Sequence, residues 1–400
     1  MIAPVSPAAV TGMGCISAAG ATLDENLAAL ETGSRAPEPP VLFPTERPFP
    51  VFMAAIPDPA DFPPLPDVSE IRACTRTVHL AAHAAAEALR DAGIAPADLP
   101  GLRVGVCIGT SVGTALDFYD YYVDQRVGKA PPLDVIHQYL ISNPSLALAR
   151  LLQLRGPVQT IANACSSGAD AVGMGAEWIR NGRCDVAICG GADALAQVIY
   201  YGFSSLQLQS PEPCRPFDKN RKGLNLGEGA GILVLETEER ARGRKRRGSI
   251  TGYGTCTDAW HLTAPHPEAR GLIRALDQAL IQAGASAEDV AFINAHGTAT
   301  PTNDAAEGNF FASRFPQTPF VATKGCTGHT LGAAGAVEAV FALAHFAKGA
   351  IPASPGFAEA DPAMAVAPVS RHTPVHGRFA MSQSLAFGGN NSVLLFGKGD

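Results

Sequence analysis

The sequence predicts an α/β protein with largely parallel or mixed sheets, and three observations point there. Two long stretches alternate strand-like with helix-like segments, as in sheets whose strands are joined through helices. The strand-like runs are short and bounded by glycine. The 400 residues are 46% hydrophobic and 17% charged, which allows a large buried core and about two to three domain-sized units.

Taken in order, the chain opens on MIAPVSPAAVTGMG with no Lys or Arg before Arg35, so it lacks the basic flank and apolar stretch of a secretory signal. A cytoplasmic location is the expectation. The Pro-rich region around Pro37 to Pro66 reads as a surface excursion. Strands are expected at Arg103 to Ile108, Asp185 to Cys189 and Gly231 to Leu235, then at Val290 to Asn294, Pro319 to Ala322, Phe379 to Ser384 and Ser392 to Phe396. Helices are expected at Ala81 to Gly93, Ser166 to Asn181, Leu272 to Gly284 and His329 to Lys348, each ending near Gly or a basic residue.

The basic, Gly-interrupted stretch Arg242 to Gly248 forms a seam between two halves, residues 1–248 and 249–400. A weak internal echo supports a duplication. The segments starting at Ala164 and at Cys326 both set a reactive side chain beside small residues at the mouth of a long apolar helix. Both are followed by a strand and a Gly-Gly pair, Gly190-Gly191 and Gly388-Gly389. The apolar stretch Leu331 to Ala347 is interrupted by Glu338 and His345 and reads as a buried helix rather than a membrane span.

Thirty basic against 37 acidic residues leave a net charge of −7, so nothing draws the chain to nucleic acid or to an anionic membrane surface. Two basic features stand out, the run Arg240 to Arg247 and the pair Arg72 and Arg76, four apart on an expected helix face. Both read as solvated surface. Nine cysteines without CxxC spacing argue against a disulfide framework and against a zinc site.

Four segments carry reactive groups. Cys165 lies in TIANACSSG at an expected helix start, where the macrodipole and free N–H groups favour thiolate and make a nucleophile. His296, in NAHGTATPTNDAAE, emerges where a strand ends, the place where α/β sheets collect their sites. Lys324 and His329 share ATKGCTGHTLGAAGA. His329 at a helix start should stay neutral and donate through one N–H, and Lys324 in so apolar a setting needs an anion, for which Glu307 is the expected partner. SLAFGGNNS offers backbone N–H groups that suit an oxyanion hole.

Together with VTGMGCISAAG, GGADA and CRPFDKNRKGLNLGEGAG, these stretches resemble, in order and spacing, the elongating β-ketoacyl-acyl-carrier-protein synthases, condensing enzymes of fatty acid and polyketide assembly. The resemblance implies a thiolase fold, two duplicated βαβαβαββ halves in a five-layered αβαβα arrangement. Cys165 would take the acyl group from a carrier-protein phosphopantetheine thioester. His296 and His329 would hydrogen-bond the malonyl thioester carbonyl during decarboxylation, with Lys324, paired with Glu307, organising them. The N–H groups of Cys165 and Phe387 would hold the tetrahedral oxyanion, such donors being worth roughly 3–4 kcal/mol each. Phe387 would also gate the malonyl pocket, Thr298 and Thr300 would bind the pantetheine arm, and Val112 and Phe203 would line the acyl pocket.

By the same resemblance no cofactor or metal is needed, the partner is acyl carrier protein, and the chain dimerises through an edge strand near the nucleophile. The dimer is with itself or with a chain-length-factor homologue. Relative to the family's housekeeping elongating members the stretch between Cys165 and Asp218 is compressed, which leaves a specialised product such as an aryl polyene and ordinary fatty acid elongation as equal alternatives. Thiolases recruit a second cysteine near the C-terminus, whereas the last here is Cys326. A non-catalytic chain-length subunit, the alternative reading, would lack the nucleophile that Cys165 supplies.

Overall fold

A computed structural model describes residues 6–46, 49–62, 65, 68–111, 113 and 118–399. Its strands are β1 (Ala8–Ser17), β2 (Val104–Gly109), β3 (Val158–Ile161), β4 (Val186–Asp193) and β5 (Gly229–Glu236). They are followed by β6 (Gly248–Thr257), β7 (Val290–Asn294), β8 (Phe320–Val321), β9 (Ala350–Ile351), β10 (Thr373–Pro374), β11 (Phe379–Leu385) and β12 (Asn390–Lys398). Strands β9 and β10 form a small antiparallel pair.

The other ten run in the order β3-β2-β4-β5-β1-β6-β12-β11-β7-β8. Its middle is a short seam, where Ala8 to Val10 pair with Gly248 to Ile250. Outward from that seam the two sides repeat each other. On each, the first strand pairs antiparallel with the last and the last antiparallel with the one before it, after which two parallel pairs follow. The mixed sheet flanked by helices is the expected α/β thiolase arrangement.

Helices complete the layers. Arg76–Asp91 covers β1 and β5 on one outer face, and Arg270–Ala283 covers β6 and β12 on the other. Ser167–Arg180 and Ala334–Lys348 each pack against strands from both halves of this ten-stranded sheet and touch each other. The segment Leu331–Lys348 is long and apolar enough to cross a membrane, yet 89% of it is buried inside the protein, so it is a core element.

Strands β1 and β6 lie outside the sequence expectations, and their shared pattern explains both the omission and the packing. Val10-Thr11-Gly12-Met13-Gly14 matches Ile250-Thr251-Gly252-Tyr253-Gly254. Glycine lowers a strand signal, but it marks where another backbone comes close. A Cβ on Gly14 would lie 2.1 Å from the Ala84 carbonyl oxygen, and one on Gly254 would lie 2.0 Å from that of Ala275. Each Gly-x-Gly thus lets an alanine-rich helix lie directly on its strand.

Two surface readings are resolved here. Arg72 lies in the last turn of the helix Val68–Ala73, while Arg76 begins the next, so the pair does not share one helix face. Arg72 pairs with Asp58 at 2.7 Å, and the Arg76 Nε donates to the buried Glu228 at 2.9 Å. In the basic run, Arg240 and Arg244 both bind the buried Glu236 at 2.6 Å, Arg246 binds Glu238 at 2.7 Å, and Arg247 binds Asp91. Its charge is largely spent inside the fold.

Candidate active site

The reactive side chains come together at the C-terminal ends of parallel strands, where neighbouring backbones diverge and leave room for a ligand. Beyond β3 a short 3₁₀ turn, Ala164–Ser166, carries Cys165 and feeds into the Ser167–Arg180 helix. His296 lies two residues past β7, and Lys324 opens the short Lys324–Thr327 helix after β8. His329 lies just before the 3₁₀ turn Leu331–Ala333 that leads into the Ala334–Lys348 helix. Phe387 heads the turn Phe387–Gly389 between β11 and β12.

Cys165 Sγ is 3.1 Å from His329 Nε2. The two imidazoles meet edge to face, 5.2 Å between centroids and 86° between planes. His329 Nδ1 accepts from the Leu331 N–H at 3.2 Å, and His296 Nδ1 lies 3.1 Å from Lys324 Nζ, which also donates to the His296 carbonyl at 2.5 Å. A neutral imidazole whose Nδ1 accepts must carry its proton on Nε2. Burial first, and then the Lys324 charge, hold both histidines well below the ordinary value, so both are neutral Nε2–H donors.

The three potential ligand atoms of Cys165, His296 and His329 lie within 4.8 Å of one another. The two imidazoles present N–H groups rather than free lone pairs, with an ammonium group behind them, which suits a developing anion and not a cation.

Two expectations need correction. Lys324 forms its buried ion pair with Glu338 rather than with Glu307. Glu307 instead accepts from the backbone N–H groups of His296 and Gly297 at 2.7 Å each, from Asn303 Nδ2 at 2.7 Å and from Gln383 Nε2 at 2.8 Å. It is saturated by the turn it holds and has no free oxygen for the lysine. Glu338 was legible in principle, because a carboxylate alone in an otherwise apolar buried helix requires a cation.

The second correction concerns the thiol. Burial pushes Cys165 up to about 11, and the Lys324 charge and the Phe387 N–H offset only part of that rise. The helix start therefore does not yield a resting thiolate, since loss of hydration outweighs it. Burial likewise pushes Glu338 up to about 7 against the pull of Lys324.

A cavity of about 240 Å³ opens onto Cys165, His296 and His329. Thr298 and Thr300 line it and share a hydrogen bond of 2.9 Å. Phe203 and Phe387 line it as a stacked pair, 5.4 Å between centroids and 16° from parallel. Leu208 and Leu224, neither of them expected as a pocket residue, add to its apolar wall. Val112 lies outside the described residues. The rim is tied to the Gly-Gly turn by two backbone bonds of 2.7 Å, Asp258 N–H to the Gly389 carbonyl and Gly388 N–H to the Leu262 carbonyl.

Comparison with known proteins agrees with this geometry. The family described as beta-ketoacyl synthase, N-terminal domain, matches residues 6–241, and the corresponding C-terminal domain matches residues 247–358. The chain is 34% identical over 411 aligned residues to a 3-oxoacyl-acyl-carrier-protein synthase 2 of Synechocystis sp., covering 97% of each. Among solved structures it is similar to the ishigamide ketosynthase/chain length factor, with a TM-score of 0.91 and 32% identity over 98% of this chain and 99% of that one. It is also similar to a ketosynthase in complex with its chain length factor from Xenorhabdus doucetiae, with a TM-score of 0.84 and 32% identity over 98% of each.

Proposed function

Since the chain belongs to the β-ketoacyl synthase family, we propose that Cys165, His296 and His329 are the groups with which it performs that family's condensation. The protein is an acyltransferase that joins an acyl thioester to malonyl-acyl-carrier protein, releasing CO₂ and giving a β-ketoacyl-acyl-carrier protein. Its substrates travel on the phosphopantetheine arm of the carrier, and the reaction needs no separate cofactor.

In this reading the Cys165 thiol loses its proton as it attacks the acyl-carrier thioester, and the carrier leaves as a free phosphopantetheine thiol. Malonyl-carrier then enters past Phe387, its arm lying along Thr298 and Thr300. The two Nε2–H donors receive the thioester oxygen as loss of CO₂ turns it into an enolate. Its carbon attacks the acyl-Cys165 carbonyl, the N–H groups of Cys165 and Phe387 take the oxyanion, and its collapse breaks the carbon–sulfur bond, leaving the β-ketoacyl chain on the carrier and the Cys165 sulfur to regain a proton. The observation that carries the assignment is the pair of neutral Nε2–H donors converging beside one thiol, at 3.1 Å from His329. Lys324 and Glu338 act as positioning residues, and Glu307 braces the turn that bears His296.

Residues 1–248 then form a half bearing the nucleophile, and 249–400 a half bearing the histidines and lysine, a division supported by the repeated strand order. The free edge of β3 and the exposed Tyr122, Val127, Leu133 and Leu140 support pairing with a second condensing chain, either a copy or a chain length factor. Nine free cysteines support a reducing compartment such as the cytoplasm.

The test is intact mass after incubation with a panel of acyl-carrier proteins, with Cys165→Ala as control and malonyl-carrier added last. Acyl mass on the wild type alone, then released as an extended β-ketoacyl product, supports the assignment. Failure of every primer to load, with partner chains supplied, would return the chain to the role of a non-catalytic chain-length subunit.

A further inference from the structure

The backbone that presents Cys165 is strained. Ala164 has φ of 61°, a left-handed conformation unfavourable for any residue with a Cβ. Such a conformer persists only where its surroundings over-determine it, and here they do. The Asn163 N–H donates to Ser167 Oγ at 2.9 Å, and the Ser167 hydroxyl donates to the Ala164 carbonyl at 2.6 Å. The Asn163 side-chain amide donates to Asp170 Oδ2 at 2.5 Å. Asp170 is almost fully buried, and its other oxygen accepts from the Tyr253 hydroxyl at 2.8 Å.

Tyr253 reaches this point from β6, on the far side of the seam, and its ring rests against Gly173 so closely that a Cβ there would lie 2.4 Å from it. The phenol therefore arrives on a rigid strand and is aimed by packing. Burial and the adjacent Asp170 keep it protonated and able to donate.

We propose that Tyr253 and Asp170 are positioning residues for the acylation step, fixing the Asn163–Ala164 backbone so that the Cys165 N–H points at the oxyanion of the acylating thioester. The inference rests on Cys165 being the nucleophile. Each carboxylate oxygen of Asp170 has one partner in this chain of contacts. Loss of the phenol frees the carboxylate to turn, Asn163 loses its anchor, and Ala164 relaxes from its left-handed conformation. That relaxation swings the Cys165 N–H while leaving the Sγ in the same pocket.

Tyr253→Phe is the test, because it keeps the ring on Gly173 and deletes one hydroxyl. Two reactions of the same thiol are compared, normalised to folded protein by circular dichroism. Acylation by acyl-carrier passes through a tetrahedral oxyanion, whereas alkylation by iodoacetamide does not. The expected result is an acylation rate constant reduced about tenfold with KM for acyl-carrier unchanged, and alkylation changed by less than about twofold. Asp170→Asn should behave alike, and the double variant should be no slower than the slower single, as for two members of one chain of contacts. Acylation at the wild-type rate in either variant, or alkylation falling in step with acylation, overturns the proposal. A wild type that fails to acylate at Cys165 would instead overturn the assignment of the nucleophile.

Discussion

Lys324 forms its buried ion pair with Glu338, and the same ammonium sits 3.1 Å from His296 Nδ1. One carboxylate on a core helix thereby sets the tautomer of an imidazole on a distant loop. The lysine can point at His296 only because Glu338 balances its charge inside the protein.

Replacement of Glu338 should therefore act on both stability and chemistry. Glu338→Gln leaves Lys324 buried without an anion and is expected to cost about 3 kcal/mol, read from the denaturant midpoint. Condensation should fall by at least about tenfold through misplacement of His296, with acylation of Cys165 largely spared. Glu307→Gln keeps an acceptor for the His296 N–H and should be the milder change. The reverse ranking of the two variants would remove Glu338 from its assigned place.

The thiol should report its burial through pH. With Cys165 pushed up to about 11, the thiolate fraction grows with pH throughout the neutral range. Alkylation of Cys165, followed by peptide mapping, should rise steadily from about pH 7 to about pH 10 without a plateau. Lys324→Ala removes a charge that holds the value down, so at any given pH alkylation should slow. A plateau reached by about pH 8 would contradict the neutral resting thiol.

The Phe203–Phe387 stack should set which primers fit. Phe203→Ala deletes an aromatic contact worth about 0.5–1.5 kcal/mol and opens the cavity beside Cys165. Competition between short and bulky acyl-carriers should shift toward the bulky ones, read as relative kcat/KM. An unchanged ratio would place the size limit elsewhere on the wall.

The Gly-x-Gly contacts give a prediction for the fold alone. Gly14→Ala and Gly254→Ala would each thrust a Cβ to about 2 Å from a helix carbonyl oxygen. Each should lower stability by about 3 kcal/mol or more in chemical denaturation, and by similar amounts because the two sites are equivalent. A loss of less than about 1 kcal/mol at either site would show that the helix can move away.

Much of the architecture was readable because its signals are local. Strands such as Val290–Asn294 and Gly229–Glu236 carry short apolar runs that need no partner to be recognised. The strands Ala8–Ser17 and Gly248–Thr257 were not, since their glycines answer to helices that lie on them rather than to any strand propensity. The four residues Val158–Ile161 are too few, and too exposed at the sheet edge, to carry a pattern.

The same division holds at the candidate active site. Which chemical groups are present, and in what order, is legible along the chain: a cysteine at a helix mouth, a histidine after a strand, then a lysine and a histidine across a glycine-rich turn. Folding was needed to bring Glu338 rather than Glu307 to Lys324, to put the protons of both rings on Nε2 and to leave the thiol neutral at rest. The physical reason is that pairing, tautomer and desolvation depend on distances between segments far apart in the chain. They also depend on how completely water is excluded when the segments meet, and no local pattern of residues encodes either quantity.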